Sequence, residues 1–117
     1  MTRVDLLGYI ESTYDTKAEY LWAKYPDYAV FRHKKNRKWF AILMHVTYKQ
    51  VGLLGDGSMD ILDVKLDSEK VDFLKQQEGY LPAYHMNKRN WLSICLDQVL
   101  EADVKELLGE SYLLTRK

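Results

Sequence analysis

The chain has 117 residues, 47% of them apolar and 29% charged, with 17 Lys and Arg set against 17 Asp and Glu. That length buries a core without staples and the composition argues against disorder, while the zero net charge excludes a strongly cationic nucleic-acid binder. The halves differ all the same: residues 1–58 carry nine basic and six acidic side chains, a surplus of +3, and residues 59–117 carry eight and eleven, −3.

Thr2 followed three residues later by Asp5 has the spacing of a capping box, with Asp in place of the usual Glu. Leu6, Leu7, Ile10 and Tyr14 then recur on one face, which predicts a helix from about Arg3 to Tyr14. Thr2, Arg3 and Asp5 also interrupt any secretory apolar segment after Met1. From Asp15 to Tyr25 no period dominates, and Pro26 ends any continuing helix. Two strands are predicted next, Tyr28–His33 and Lys38–Val46, joined by a polar turn around Lys35-Asn36, where Asn tolerates left-handed backbone. The apolar run Trp39–Met44 is too short to cross a bilayer. Both parities of that strand are apolar, a pattern that fits coverage on both sides.

Gly52–Ser58 is turn sequence, after which Asp60–Leu66 alternates. Leu62, Val64 and Leu66 point one way; Ile61, Asp63 and Lys65 point the other. Asp67 or Ser68 caps a short helix through Gln77 that buries Val71 and Leu74, with Gly79 as its stop. Trp91–Leu96 reads as a strand with Leu92, Ile94 and Leu96 on one face and Trp91, Ser93 and Cys95 on the other. A last helix, from about Glu101 to Leu113, presents Val104, Leu107, Leu108 and Tyr112 as a stripe, with Glu101 and Lys105 one turn apart. The sum is one α+β domain over residues 1–117, with N-terminal, middle and C-terminal helices on one face of a mostly antiparallel sheet. The other face is expected to be open, carrying Asp63, Lys65, Trp91, Ser93 and Cys95.

Candidate chemistry is sparse. The lone Cys95 excludes an internal disulfide and suits a reducing cytosol, so the expected location is cytoplasmic. Set between Ile94 and Leu96, it reads as a packed thiol rather than a nucleophile. His33, His45 and His85 are never paired at ligand spacing, so no metal site is expected. No phosphate-cradling glycine motif, nucleophile elbow or pair of catalytic carboxylates is present; catalytic residues and cofactors are expected to be none. Two basic features remain. RHKKNRK would place Arg32, Lys34, Lys35, Arg37 and Lys38 at a hairpin tip, able to lie along a phosphate backbone. Lys88 and Arg89 beside Trp91 would form a second contact region, the indole stacking on a base.

Four segments, PDYAVFRHKKNRKWFAILMHV, DILDVKLD, LPAYHMNKRNWLSICLD and LLGESYLLT, resemble the MmcQ/YjbR family in the right order between Pro26 and Thr115. His85, Asn87, Lys88 and Trp91 match its signature, without an assigned role. The resemblance implies a CyaY-like (frataxin-like) α+β fold and a DNA-binding role of the "double wing" grouping. It supplies no catalytic residues. Iron handling of the frataxin kind would want an acidic first helix, and Asp5, Glu11 and Asp15, with Glu19 beyond them, are a sparse set. The expectation is therefore a monomeric, non-enzymatic module that meets DNA weakly and in a salt-sensitive way. Its alternative is a protein-interaction or small-ligand module that uses the open sheet face.

Overall fold

A computed structural model describes residues 1–117. Helix α1 covers Arg3–Tyr14 and opens as its sequence requires: Thr2 Oγ1 accepts from the Asp5 amide at 3.1 Å, and Asp5 answers the Thr2 amide. It stops where Asp15 turns left-handed, at φ 49°. Strands β1 (Ala29–Arg32) and β2 (Trp39–Thr47) form the first hairpin; β3 (Ser58–Lys65), helix α2 (Ser68–Leu74), β4 (Tyr80–Pro82), β5 (Trp91–Cys95) and helix α3 (Glu101–Thr115) follow. The sheet is antiparallel throughout, ordered β1-β2-β3-β5-β4. No helix is long and apolar enough to cross a membrane.

All three helices lie on one face. Leu6 and Ile10 of α1, Val71 and Leu74 of α2 and Val104, Leu107 and Leu108 of α3 share a core with Leu43, Leu62, Val64, Leu92 and Ile94. These are the inward parities that alternation predicted for β3 and β5. The helix ends depart modestly from the sequence reading. Helix α2 closes at Leu74, not Gln77, and α3 runs on to Thr115. In the hairpin the left-handed residue is Arg37 rather than Asn36. Asn36 instead closes the turn through its side chain, accepting the Lys38 amide at 2.9 Å while its Nδ2 donates to the Thr115 carbonyl at 3.0 Å. Strand β4 went unforeseen; with Pro82 in three residues it lies at the sheet edge, where a missing N–H is tolerated.

The expected open face is closed. Asp63 and Ser93 are fully buried, Cys95 is 1% exposed and Trp91 7%, while Lys65 is partly covered. A second core of Tyr28, Val30, Ile42, Met44, Val46, Met59, Ile61 and Cys95 is covered by Tyr25, Tyr48, Leu53, Tyr84 and Met86. These side chains come from segments without helix or sheet period, which is why alternation along the strands gave no sign of them. The twofold apolar pattern of Trp39–Val46 was the sign that both faces are covered.

Candidate functional site

The loop between β4 and β5 is built on a buried polar pair. In register across the sheet stand Ile42, Asp63 and Ser93. Ser93 Oγ accepts the Tyr84 amide at 3.0 Å and donates to Asp63 Oδ1 at 2.5 Å. Burial pushes the Asp63 carboxyl up to about 8, against the opposing pulls of the Ser93 hydrogen bond and the Lys88 charge. At neutral pH it is therefore chiefly the uncharged acid. Its Oδ2 is buried without a partner. Farther along, Asn87 Oδ1 accepts the amides of Arg89 and Asn90, and its carbonyl accepts the Trp91 amide at 3.0 Å. The signature residue Asn87 is thus a turn former. His85 is held left-handed, at φ 66°.

This loop and the segment ahead of β1 enclose a pocket of about 340 Å³ over the loop-covered side of β2. Ile42 and Met44 form its floor, Trp22, Tyr25, Tyr28 and Trp39 its walls, and His85 and Met86 its lip. Trp22 meets Tyr28 at 6.0 Å and 76°, and Trp39 at 5.9 Å and 85°, while Tyr25 stacks flat on Tyr28 at 4.7 Å. Edge-to-face contacts suit the ring quadrupoles but do not fill space as parallel stacking does. Cations sit on two of the walls: Arg32 lies over Trp39 and Lys24 over Tyr25, each at 5.7 Å. No carboxylate lines the pocket. The Tyr28 phenol is raised by burial and by Tyr84, so it stays protonated. Sequence reasoning missed this site, although four aromatic residues in nine, Tyr20, Trp22, Tyr25 and Tyr28, marked the segment that builds it.

The basic hairpin is partly answered within the chain. Lys34 pairs with Asp15 at 3.1 Å, Arg32 and Arg37 with Glu19 at 3.1 and 3.4 Å, and Lys38 Nζ donates to the Lys117 carbonyl at 3.0 Å. Lys35, Lys88 and Arg89 are exposed and make no ion pair. Trp91, expected to stack on a base beside them, is in the interior. The hairpin also docks on α3: Thr115 Oγ1 donates to the Ser111 carbonyl at 2.7 Å and accepts from His33 Nε2 at 2.7 Å. Burial lowers the His33 proton affinity, and the charges of Arg116 and Lys38 lower it further.

The remaining candidates are structural. Cys95 is sealed in the second core, its thiol pushed up to about 11 by burial and then by Asp97. His45 bridges Asp60 and Ser58 at 2.9 and 3.1 Å. No three His, Cys, Asp or Glu side chains gather closely enough to hold a metal ion.

Comparison with known proteins gives consistent relatives. The YjbR family model matches residues 11–114. The uncharacterized protein YyaQ of Bacillus subtilis (strain 168) is 39% identical over 117 residues, 99% of either chain. The crystal structure of a protein from Pseudomonas syringae superposes with a TM-score of 0.96 at 40% identity, covering 99% of this chain and 100% of that one. Deinococcus radiodurans protein DR2400 superposes at 0.67 with 25% identity, over 92% of this chain and 76% of its own.

Proposed function

From the premise that the chain belongs to the YjbR family, we propose that it is a non-enzymatic, cytoplasmic binding protein whose aromatic pocket takes the flat, uncharged or anionic ring of a small molecule. The observation that carries this reading is Trp22 standing at near right angles to both Tyr28 and Trp39. Such a corner offers ring faces to a planar guest, and about 340 Å³ falls at the small end of ligand pockets. A cationic guest is disfavoured, because Arg32 and Lys24 already occupy ring faces and no carboxylate is there to receive it. The sealed thiol of Cys95 and the sealed carboxyl of Asp63 support a binding role over a catalytic one.

A thermal-shift screen of planar heteroaromatic compounds tests the reading. A ligand at a hundred times its Kd stabilises by about 2.7 kcal/mol. Trp22→Ala, which trims a side chain 37% exposed, should abolish that shift while leaving the fold intact. Equal stabilisation of wild type and variant, or no stabilisation by any ring compound, removes the proposal.

A second reading, DNA binding, is favoured by the exposed and unpaired Lys35, Lys88 and Arg89. The other predicted contacts, Arg32, Lys34, Arg37 and Lys38, must first leave acceptors of their own chain. With three free cations, the logarithm of the binding constant should fall with log salt at a slope of roughly −3. Fluorescence anisotropy of a labelled duplex across a salt series measures it, and absence of binding at low salt ends this reading.

A further inference from the structure

We propose a second binding site, distinct from the aromatic pocket, for a small polyphosphate: a cationic cleft of about 520 Å³ between the hairpin and the end of α3. Its lining carries Arg32, Lys34, Lys35, Arg116 and Lys117 against the single side-chain carboxylate of Asp15; with Arg32 paired to Glu19 and Lys34 to Asp15, three unpaired cations remain in a chain whose net charge is zero. Concentration of one sign in a concavity focuses the field on whatever enters.

Three elements distant in sequence converge there, and the convergence is built rather than incidental. His33, 6% exposed, is hydrogen-bonded to Thr115 of α3, and Asn36 reaches the Thr115 carbonyl. The hydroxyl of Thr16, just beyond α1, donates to the Arg32 carbonyl at 3.2 Å. These bonds fix the backbone from which the cations project. The low proton affinity of His33 comes first from its burial, with the charges of Arg116 and Lys38 adding to it against the pull of a Tyr112 backbone hydrogen bond.

The cleft also gives up little to admit an anion. The Lys34–Asp15 pair has side chains 70% and 97% exposed, and exposed pairs are worth little. Lys35, Arg116 and Lys117 make no ion pair. The C-terminal dipole of α3 favours cations nearby, yet it amounts to about half a charge and leaves the surplus standing. Chemistry then selects among anions. A monovalent carboxylate cannot answer three charges, and a duplex spreads its phosphates along a line instead of gathering them in one cavity. A short chain of adjoining phosphates presents its charge as the cleft does.

The test is a nitrogen-15 NMR titration of the full chain with inorganic tripolyphosphate, beside a parallel titration with a short DNA duplex at the same low salt. The expected result is saturable shifts at Lys34, Lys35, Tyr112 and Arg116 with tripolyphosphate, weaker binding of the duplex, and an affinity for tripolyphosphate at least about tenfold lower in the double variant Lys35→Glu/Arg116→Glu. Both positions are exposed, so an unchanged spectrum elsewhere shows that the variant folds. Trp22→Ala should bind tripolyphosphate as wild type does, which separates failure here from failure of the aromatic pocket. Non-saturating shifts, undiminished affinity in the double variant, or tighter duplex binding with shifts reaching Lys88 and Arg89 would each overturn the proposal.

Discussion

Replacing Asp63 with Asn should flatten the dependence of folding stability on pH. The carboxyl titrates at about 8 in the folded chain, against an ordinary value of 3.8 once unfolded. Between those values the folded state holds a proton that the unfolded state has released, so stability is greatest below the unfolded value and falls as pH rises through the folded one. At 1.36 kcal/mol per pH unit, the loss from pH 5 to pH 8 is roughly 4 kcal/mol. That is a large share of the about 5–15 kcal/mol that holds a domain together. In Asp63→Asn the new side-chain oxygen would still accept the Ser93 hydroxyl, but its amide nitrogen would stand unpaired where Oδ2 now has no partner. An unpaired buried donor costs about 1–3 kcal/mol, and the amide brings two N–H groups where the protonated acid has one O–H. The variant should thus be the weaker protein at pH 5 and the stronger at pH 8, with the two curves crossing between. Urea unfolding followed by tryptophan fluorescence at four pH values would read this. The buried His33 works in the opposite sense below its ordinary 6.5, but both proteins share it, so the difference between them isolates Asp63. Parallel curves would refute the assignment of the buried proton.

Three further outcomes follow from local geometry. Cys95, buried with its thiol at about 11, should be inert to a thiol reagent at pH 8 until denaturant is added; rapid labelling of the folded chain would contradict its packing. Thr2→Ala removes the cap of α1 and should lower stability by about 1 kcal/mol in chemical denaturation, with no loss pointing to a frayed first turn. Gly79→Ala should cost more, on the order of 2 kcal/mol, because φ is +94° and the new Cβ would lie 2.7 Å from Val99 Cγ2. A neutral result there would mean that the turn after α2 relaxes freely.

The helix-facing half of the molecule was legible and the loop-facing half was not, for physical reasons. Thr2 and Asp67 announce helix starts through local chemistry, and Leu62, Val64, Leu92 and Ile94 declare their face by period two. The cover over the other face has no period to read. Trp22 and Tyr25 lie in an irregular stretch fixed to the sheet by one bridge, Glu19 to Val30. Asp63 was placed toward solvent because a carboxylate usually is; its partner Ser93 is thirty residues away and reaches it only through strand register. The basic run likewise looked unanswered, since Asp15 and Glu19, which pair with it, come from that same irregular stretch. The family signature divides in role: Asn87 shapes the loop and Trp91 packs inside, while His85 forms the pocket lip and Lys88 stays exposed.

Covering a sheet with loops raises a difficulty that helices avoid, because loop amides lack partners of their own. Glu19 solves it by exchanging backbone bonds with Val30 at 2.8 and 2.9 Å. Tyr84 solves it through Ser93, and Ser93 can accept that amide while giving its own proton to Asp63. The buried acid is therefore tied to the position of Tyr84 and so to His85 and Met86, the next two residues, which close the pocket. An ionised Asp63 would be stabilised by water, and the packing that holds Tyr84 on Ser93 keeps water away. Affinity for an uncharged ring ligand should accordingly fall as pH rises through about 8 in the wild type and stay level in Asp63→Asn. Calorimetric titration from pH 6 to pH 9 measures both, and a wild-type affinity that ignores pH would separate the buried acid from the pocket it underlies.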